Sequence, residues 1–123
     1  MFFKKRKKPK KRVICPIRVI LEIIQETLDI DAGMSEFIFL FEGNEHKVGF
    51  TSDYNDHDGF FDPLFYLDNQ EFSTFEEFKA QALLNGQIFA NRFDKIEIID
   101  ADDGAVRFPW YTKLEDYVVE EEI

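Results

Sequence analysis

Residues 36–51 constrain this chain more than any other stretch. Five apolar residues run in a row, Phe37-Ile38-Phe39-Leu40-Phe41, Gly43-Asn44 breaks the run, and Val48 and Phe50 resume it. Gly and Asn tolerate the positive φ of tight hairpin turns, so this arrangement predicts a β-hairpin. Side chains alternate faces along a strand, which places Phe37, Phe39 and Phe41 together. A two-residue loop at Gly43-Asn44 sets Phe39 opposite Val48 and Phe37 opposite Phe50. A four-residue loop moves the pairing to Phe41 with Val48 and Phe39 with Phe50. Either register turns the Phe face toward Val48 and Phe50. The first strand is apolar on both faces and is expected at the centre of a sheet. The second carries Lys47, Gly49 and Thr51 outward and is expected nearer an edge.

The flanking segments supply material to cover that hairpin. In residues 16–30, Ile17, Ile20, Leu21, Ile24 and Leu28 fall at helical spacing behind Pro16, a residue suited to a first helical position. Val19, Ile23 and Ile30 lie off that stripe, so the helix is broadly buried or the segment is a strand. Residues 29–35 read as the exit loop, and 52–63 as a long polar loop. A short strand at 64–67 turns at Asp68-Asn69 and pairs back through Glu71-Phe72. Thr74 with Glu77 fits a capping box for a helix carrying Phe75, Phe78 and Ala82 inward, and Gly86 fits its C-terminal cap. Residues 87–93 suit one more helical turn. Residues 95–99 alternate as a strand with Ile96 and Ile98 inward, 101–104 read as a turn, and Val106 and Phe108 begin a return strand that Pro109 ends. Trp110, Leu114, Tyr117 and Val118 have helical spacing, and Glu120-Glu121-Glu122 is expected to fray.

These elements predict an α+β fold: a small, mainly antiparallel sheet of about five short strands with two or three helices packed on one face. A chain of 123 residues is expected to form one domain, and it holds 15 Phe against two Met, so large rings fill its core. Its one cysteine, Cys15, excludes an internal disulfide. The apolar run at 13–24 is interrupted by Pro16, Arg18 and Glu22 and is too short to cross a bilayer. No small-residue cleavage site follows it, so a cytoplasmic location is expected.

Charge divides the chain in two. Residues 1–12 hold eight Lys/Arg and no acid; removing them from the formal −10 leaves −18 on residues 13–123. The expected organisation is a basic N-terminal arm, 1–12, on a single acidic domain, 13–123. Such a body repels phosphates and lipid headgroups and attracts basic partners. The countercharge that would hold the arm is already attached to it.

The densest cluster of polar ligand atoms is the loop containing Asp53, Tyr54, Asp56, His57, Asp58 and Asp62. Alternating carboxylates beside a histidine suit a divalent cation. The calcium-loop template fails, because Gly59 as its sixth position puts Tyr54 first and Phe65 twelfth. Solvated, side-chain-capped turns explain the same composition. A metal-assisted hydrolase would draw on His46, Asp56, His57 and Asp58, although no pair has a recognised ligand spacing. Cys15 lies among apolar neighbours, as a packing cysteine does. The Lys4 to Arg12 arm carries the electrostatic footprint of nucleic-acid or anionic-membrane contact, and Phe2 and Phe3 suit shallow insertion into a lipid interface.

The expected function is non-enzymatic: a binding protein, with no cofactor, whose acidic surface engages a basic protein. Asp53, Asp56, Asp58 and Asp62 supply the charge and Tyr54 and Phe60 the apolar anchors. The alternatives are the metal-assisted hydrolase at 53–62 and polyanion binding through the arm.

Overall fold

The computed structural model describes residues 10–30, 32–54, 61–102 and 112–121. Its elements run β1 (Lys10–Pro16), α1 (Ile17–Asp29), β2 (Met34–Phe41), β3 (Asn44–Tyr54), β4 (Phe61–Leu67), β5 (Gln70–Phe72), α2 (Phe75–Gln81), β6 (Leu83–Leu84), β7 (Gln87–Ile88), a 3-10 turn (Phe89–Asn91), β8 (Lys95–Asp102), α3 (Thr112–Glu115) and β9 (Val118–Glu121). Seven strands form one sheet in the order β5-β4-β3-β2-β8-β1-β9, and β6 with β7 forms a separate ribbon. Every ladder is antiparallel. The fold is α+β, as expected, but the sheet is larger than five strands.

The Phe strand is the middle strand of the seven. Phe37, Phe39 and Phe41 are buried with Val48 and Phe50 of β3, Phe65 and Leu67 of β4, Ile96 and Ile98 of β8, and Val13 and Cys15 of β1. The buried stripes of α1 and α2 belong to this same cluster. In α1 the burial is broad: Val19 and Ile23 are inside with Ile17, Ile20 and Ile24, while Leu21 and Leu28 are only partly covered. Thr74 caps α2 as its sequence predicts, its side chain accepting a hydrogen bond from the Glu77 N–H.

Both predicted hairpin registers are wrong, although the shared face is right. Phe37 lies opposite Val48, Phe39 opposite His46 and Phe41 opposite Asn44. The loop is therefore Glu42-Gly43, one residue earlier than Gly43-Asn44. Its residues have φ of 50° and 79°, the positive pair that a type I′ turn demands. Glycine takes the second position at no cost, and Glu42 is forced into the left-handed region. The Glu42 carboxylate accepts a 2.8 Å hydrogen bond from Asn85 Nδ2. Asn85 and Gly86 likewise have φ of 49° and 80°, because they turn the β6–β7 ribbon. Gly86 is thus a hairpin residue and not a helix cap; α2 has already ended at Gln81.

Other expectations shift for similar reasons. The expected loop 52–63 is strand at both ends, since β3 continues to Tyr54 and β4 begins at Phe61; residues 55–60 lie outside the described residues. Pro63 is tolerated within β4 because β5 pairs only with residues 65–67, leaving the proline locally at an edge. Residues 87–93 give the β7 strand and a single 3-10 turn. The strand at 95–99 extends to Asp102 through a register shift opposite Ile38 and Phe39, so Ala101 and Asp102 are strand and not turn. Gly104, Val106, Phe108 and Trp110 lie outside the described residues. Among the described residues, the helical spacing at the C-terminus yields α3 alone. Residues 118–121 are strand β9, paired with β1, and Glu120 and Glu121 are held in the sheet. Lys10, Lys11 and Arg12, assigned by charge to the arm, are part of β1. Among the described residues no helix is long and apolar enough to cross a membrane.

Candidate functional site

The β3–β4 hairpin carries the acidic stretch. Its ladder sets Ser52 opposite Pro63, Asp53 opposite Asp62 and Tyr54 opposite Phe61. One acid from each strand therefore occupies the rung next to the last, and sequence places Asp56 and Asp58 among residues 55–60, between the two strands. Asp62 is exposed. Asp56, His57, Asp58 and Phe60 lie outside the described residues.

His46 stands elsewhere. It occupies β3 seven residues before Asp53, roughly 23 Å away at the ordinary strand rise. His46 and Asp53 therefore share no metal ion. Its ring is not a plain surface imidazole at a hairpin mouth, because the observed register puts it on the core face opposite Phe39. The two rings stack with centroids 5.4 Å apart. Nδ1 lies 2.7 Å from Asp68 Oδ2, and the Lys47 N–H donates to Asp68 Oδ1 at 3.0 Å. A carboxylate at neutral pH only accepts, so the imidazole hydrogen sits on Nδ1. Nε2 is buried without a partner. Among the described residues no three His, Cys, Asp or Glu are grouped to hold a metal.

Cys15 is fully buried, and burial pushes its thiol up to about 12. A thiol so placed is a packing group and not an activated nucleophile.

One polar cluster was missed by sequence reasoning. Glu36, Gly49 and Tyr66 stand side by side on β2, β3 and β4, on the face opposite the Phe residues. The Tyr66 hydroxyl donates to Glu36 Oε2, and Lys47 Nζ lies 3.5 Å from Glu36 Oε1. Burial, and then the hydrogen bond and charge of Glu36, hold the phenol well above its ordinary range, so it remains a donor. Gly49 was the available signal. A glycine inside a strand marks close backbone approach, and a Cβ built there would lie 1.9 Å from the Ser35 carbonyl oxygen.

No family model, curated protein or solved structure matches this chain.

Proposed function

We propose that this is a non-catalytic binding domain that takes a basic protein at the acidic end of the β3–β4 hairpin. The observation that carries this reading is the register pairing Asp53 with Asp62. The rung brings one acid from each strand to the same register position, which favours a cationic partner. Asp56 and Asp58, between them in sequence, double the formal charge. Tyr54 and Phe60 supply the apolar area in which interface energy concentrates. A single-sign patch of this kind steers a basic partner and raises its association rate.

The test compares two neutralised variants with equal charge change. D53N/D62N alters the hairpin end; E76Q/E77Q alters exposed positions in the first turn of α2. Binding of an arginine-rich peptide is measured by fluorescence anisotropy at two salt concentrations. D53N/D62N is expected to weaken binding by about tenfold at low salt, with E76Q/E77Q near wild type. Equal effects from both variants, or none from either, would refute the site.

A further inference from the structure

Strand β2 is apolar on both of its faces. Phe37, Phe39 and Phe41 fill the core, and Ile38 and Leu40 point the other way. The ladders carry this second face across the sheet. Leu40 shares a rung with Glu97 of β8, and Glu97 shares one with Ile14 of β1. Ile99 follows Glu97 by two positions, on the side away from the buried Ile96 and Ile98. Ile14, Ile38, Leu40 and Ile99 are each half-buried, whereas the buried apolar residues of α1, α2 and α3 all belong to the cluster on the Phe side. An antiparallel sheet that packs one face on a core ordinarily turns polar side chains outward on the other. Here three adjacent strands turn aliphatic ones outward.

The border of this aliphatic strip is acidic. Glu45 shares a rung with Leu40, Asp100 with Ile38, and Asp102 with Glu36. With Glu97 these make five acids against two cations, and both cations are already engaged: Lys47 Nζ lies 3.5 Å from Glu36 Oε1, and Arg12 Nη2 lies 2.6 Å from Glu97 Oε1. The border decides among occupants. A second copy of this chain would bring like charges together, and an anionic lipid surface or a nucleic acid would meet the same repulsion. The strands themselves decide the shape. β2 and β8 are laddered on both sides, so a partner lying on this face finds no backbone groups to pair with and must satisfy its own. A helix does so. From β2 to β1 is two strand spacings, about 10 Å, which matches the width of an α-helix.

We propose that the sheet face opposite the Phe residues binds a cationic amphipathic helix of a partner protein. The apolar stripe of that helix lies on Ile14, Ile38, Leu40 and Ile99, and its Lys and Arg side chains reach the surrounding carboxylates. The bound helix adds a third layer to the sheet. Charge speeds its arrival and weakens with salt, while the apolar contact holds it in place. This inference does not depend on the hairpin site proposed above.

The experiment uses the full chain and two fluorescein-labelled peptides of one Leu/Lys composition. One spaces its Leu at i, i+3, i+4 and i+7; the other has the same residues in scrambled order. Anisotropy is expected to show the amphipathic peptide binding about tenfold more tightly than the scrambled one. I38T/L40T is expected to lose that advantage. L83T/F93S removes two exposed apolar residues from outside the seven-stranded sheet and is expected to match wild type. E45K is expected to weaken binding several-fold, and E76K, in the first turn of α2, to leave it unchanged. Methyl spectra of the unaltered chain guard against loss of binding through unfolding: the signals of Ile14, Ile38, Leu40 and Ile99 should shift with the amphipathic peptide while Ile20 and Ile24, buried in α1, stay in place. Equal binding of the two peptides, or methyl shifts confined to other residues, overturns the proposal. So does binding lost in D53N/D62N and kept in I38T/L40T, which moves the peptide to the hairpin end. A dimer of the chain that I38T/L40T dissociates overturns the choice of occupant.

Discussion

Tyr66 donates its hydroxyl hydrogen to Glu36 from two strands away, across Gly49, which has no side chain to intervene. The bond ties β4 to the central strand on the face that the core does not use. The acceptor is a carboxylate, so the contact belongs to the stronger class of hydrogen bond. Y66F is expected to lower stability by about 1–3 kcal/mol in urea unfolding. A double-mutant cycle with E36Q should return a coupling of about 1 kcal/mol or more; a coupling near zero would show that the pair contributes nothing.

Gly49 is required twice, for that crossing and for the approach of β2. A methyl group there meets the Ser35 carbonyl oxygen at 1.9 Å, and that oxygen is backbone and cannot swing away. G49A is expected to cost more than about 3 kcal/mol, as overpacking against a rigid neighbour does. Thermal unfolding followed by circular dichroism reads this out, and a melting temperature within a few degrees of wild type would contradict the close approach.

Alkaline pH should destabilise the protein through two groups. Burial raises the Cys15 thiol from its ordinary 9.0 to about 12 in the fold. Tyr66 is raised from 10.0. In both cases the folded chain keeps its proton when the unfolded chain has lost it. Their contribution is therefore fully present below pH 9 and declines as pH rises, from about pH 9 for the thiol and pH 10 for the phenol. The slope is at most about 1.4 kcal/mol per pH unit for each group. Urea midpoints across pH 8–11 should flatten first in C15A, and above pH 10 in Y66F. A wild-type profile with no fall above pH 9 would count against both burials.

Asp68 sets the tautomer of His46. In D68N the amide N–H would face Nδ1, drive the ring hydrogen to Nε2, and leave it buried with no acceptor. Nitrogen chemical shifts of the ring should report Nδ1–H in the wild type and Nε2–H in D68N, with a stability loss of about 1–3 kcal/mol. Unchanged shifts would mean that the carboxylate does not control the ring.

The local features of this fold could be read from the chain because their causes are local. The Phe37-Phe39-Phe41 alternation, the α1 stripe and the Thr74 cap each depend on neighbours within a few positions. The errors came where a choice was made at a distance. The Glu42-Gly43 turn differs by one position from Gly43-Asn44, and its left-handed Glu42 meets the side chain of Asn85, 43 residues on. The Asn85-Gly86 step fits a helix cap and a hairpin turn equally well until the pairing of Leu84 with Gln87 decides between them. Val118 continues a helical pattern yet belongs to a strand, because the opposite partner, Val13, lies at the far end of the sequence. For the candidate site, composition located the acidic stretch at 53–62, and only the ladder brought Asp53 opposite Asp62. The Glu36–Tyr66 pair could not be found without the register.

The strand order has a kinetic consequence. The β2–β5 half is a meander that can zip from neighbouring turns as soon as residues 34–72 exist. The half that holds β1 and β9 cannot be completed until segments more than 80 positions apart have met, since Val13 must find Ile98 and then Val118. Loop closure over that length precedes any contact that rewards it, so this half sets the folding time and β1, although made first by the ribosome, docks among the last.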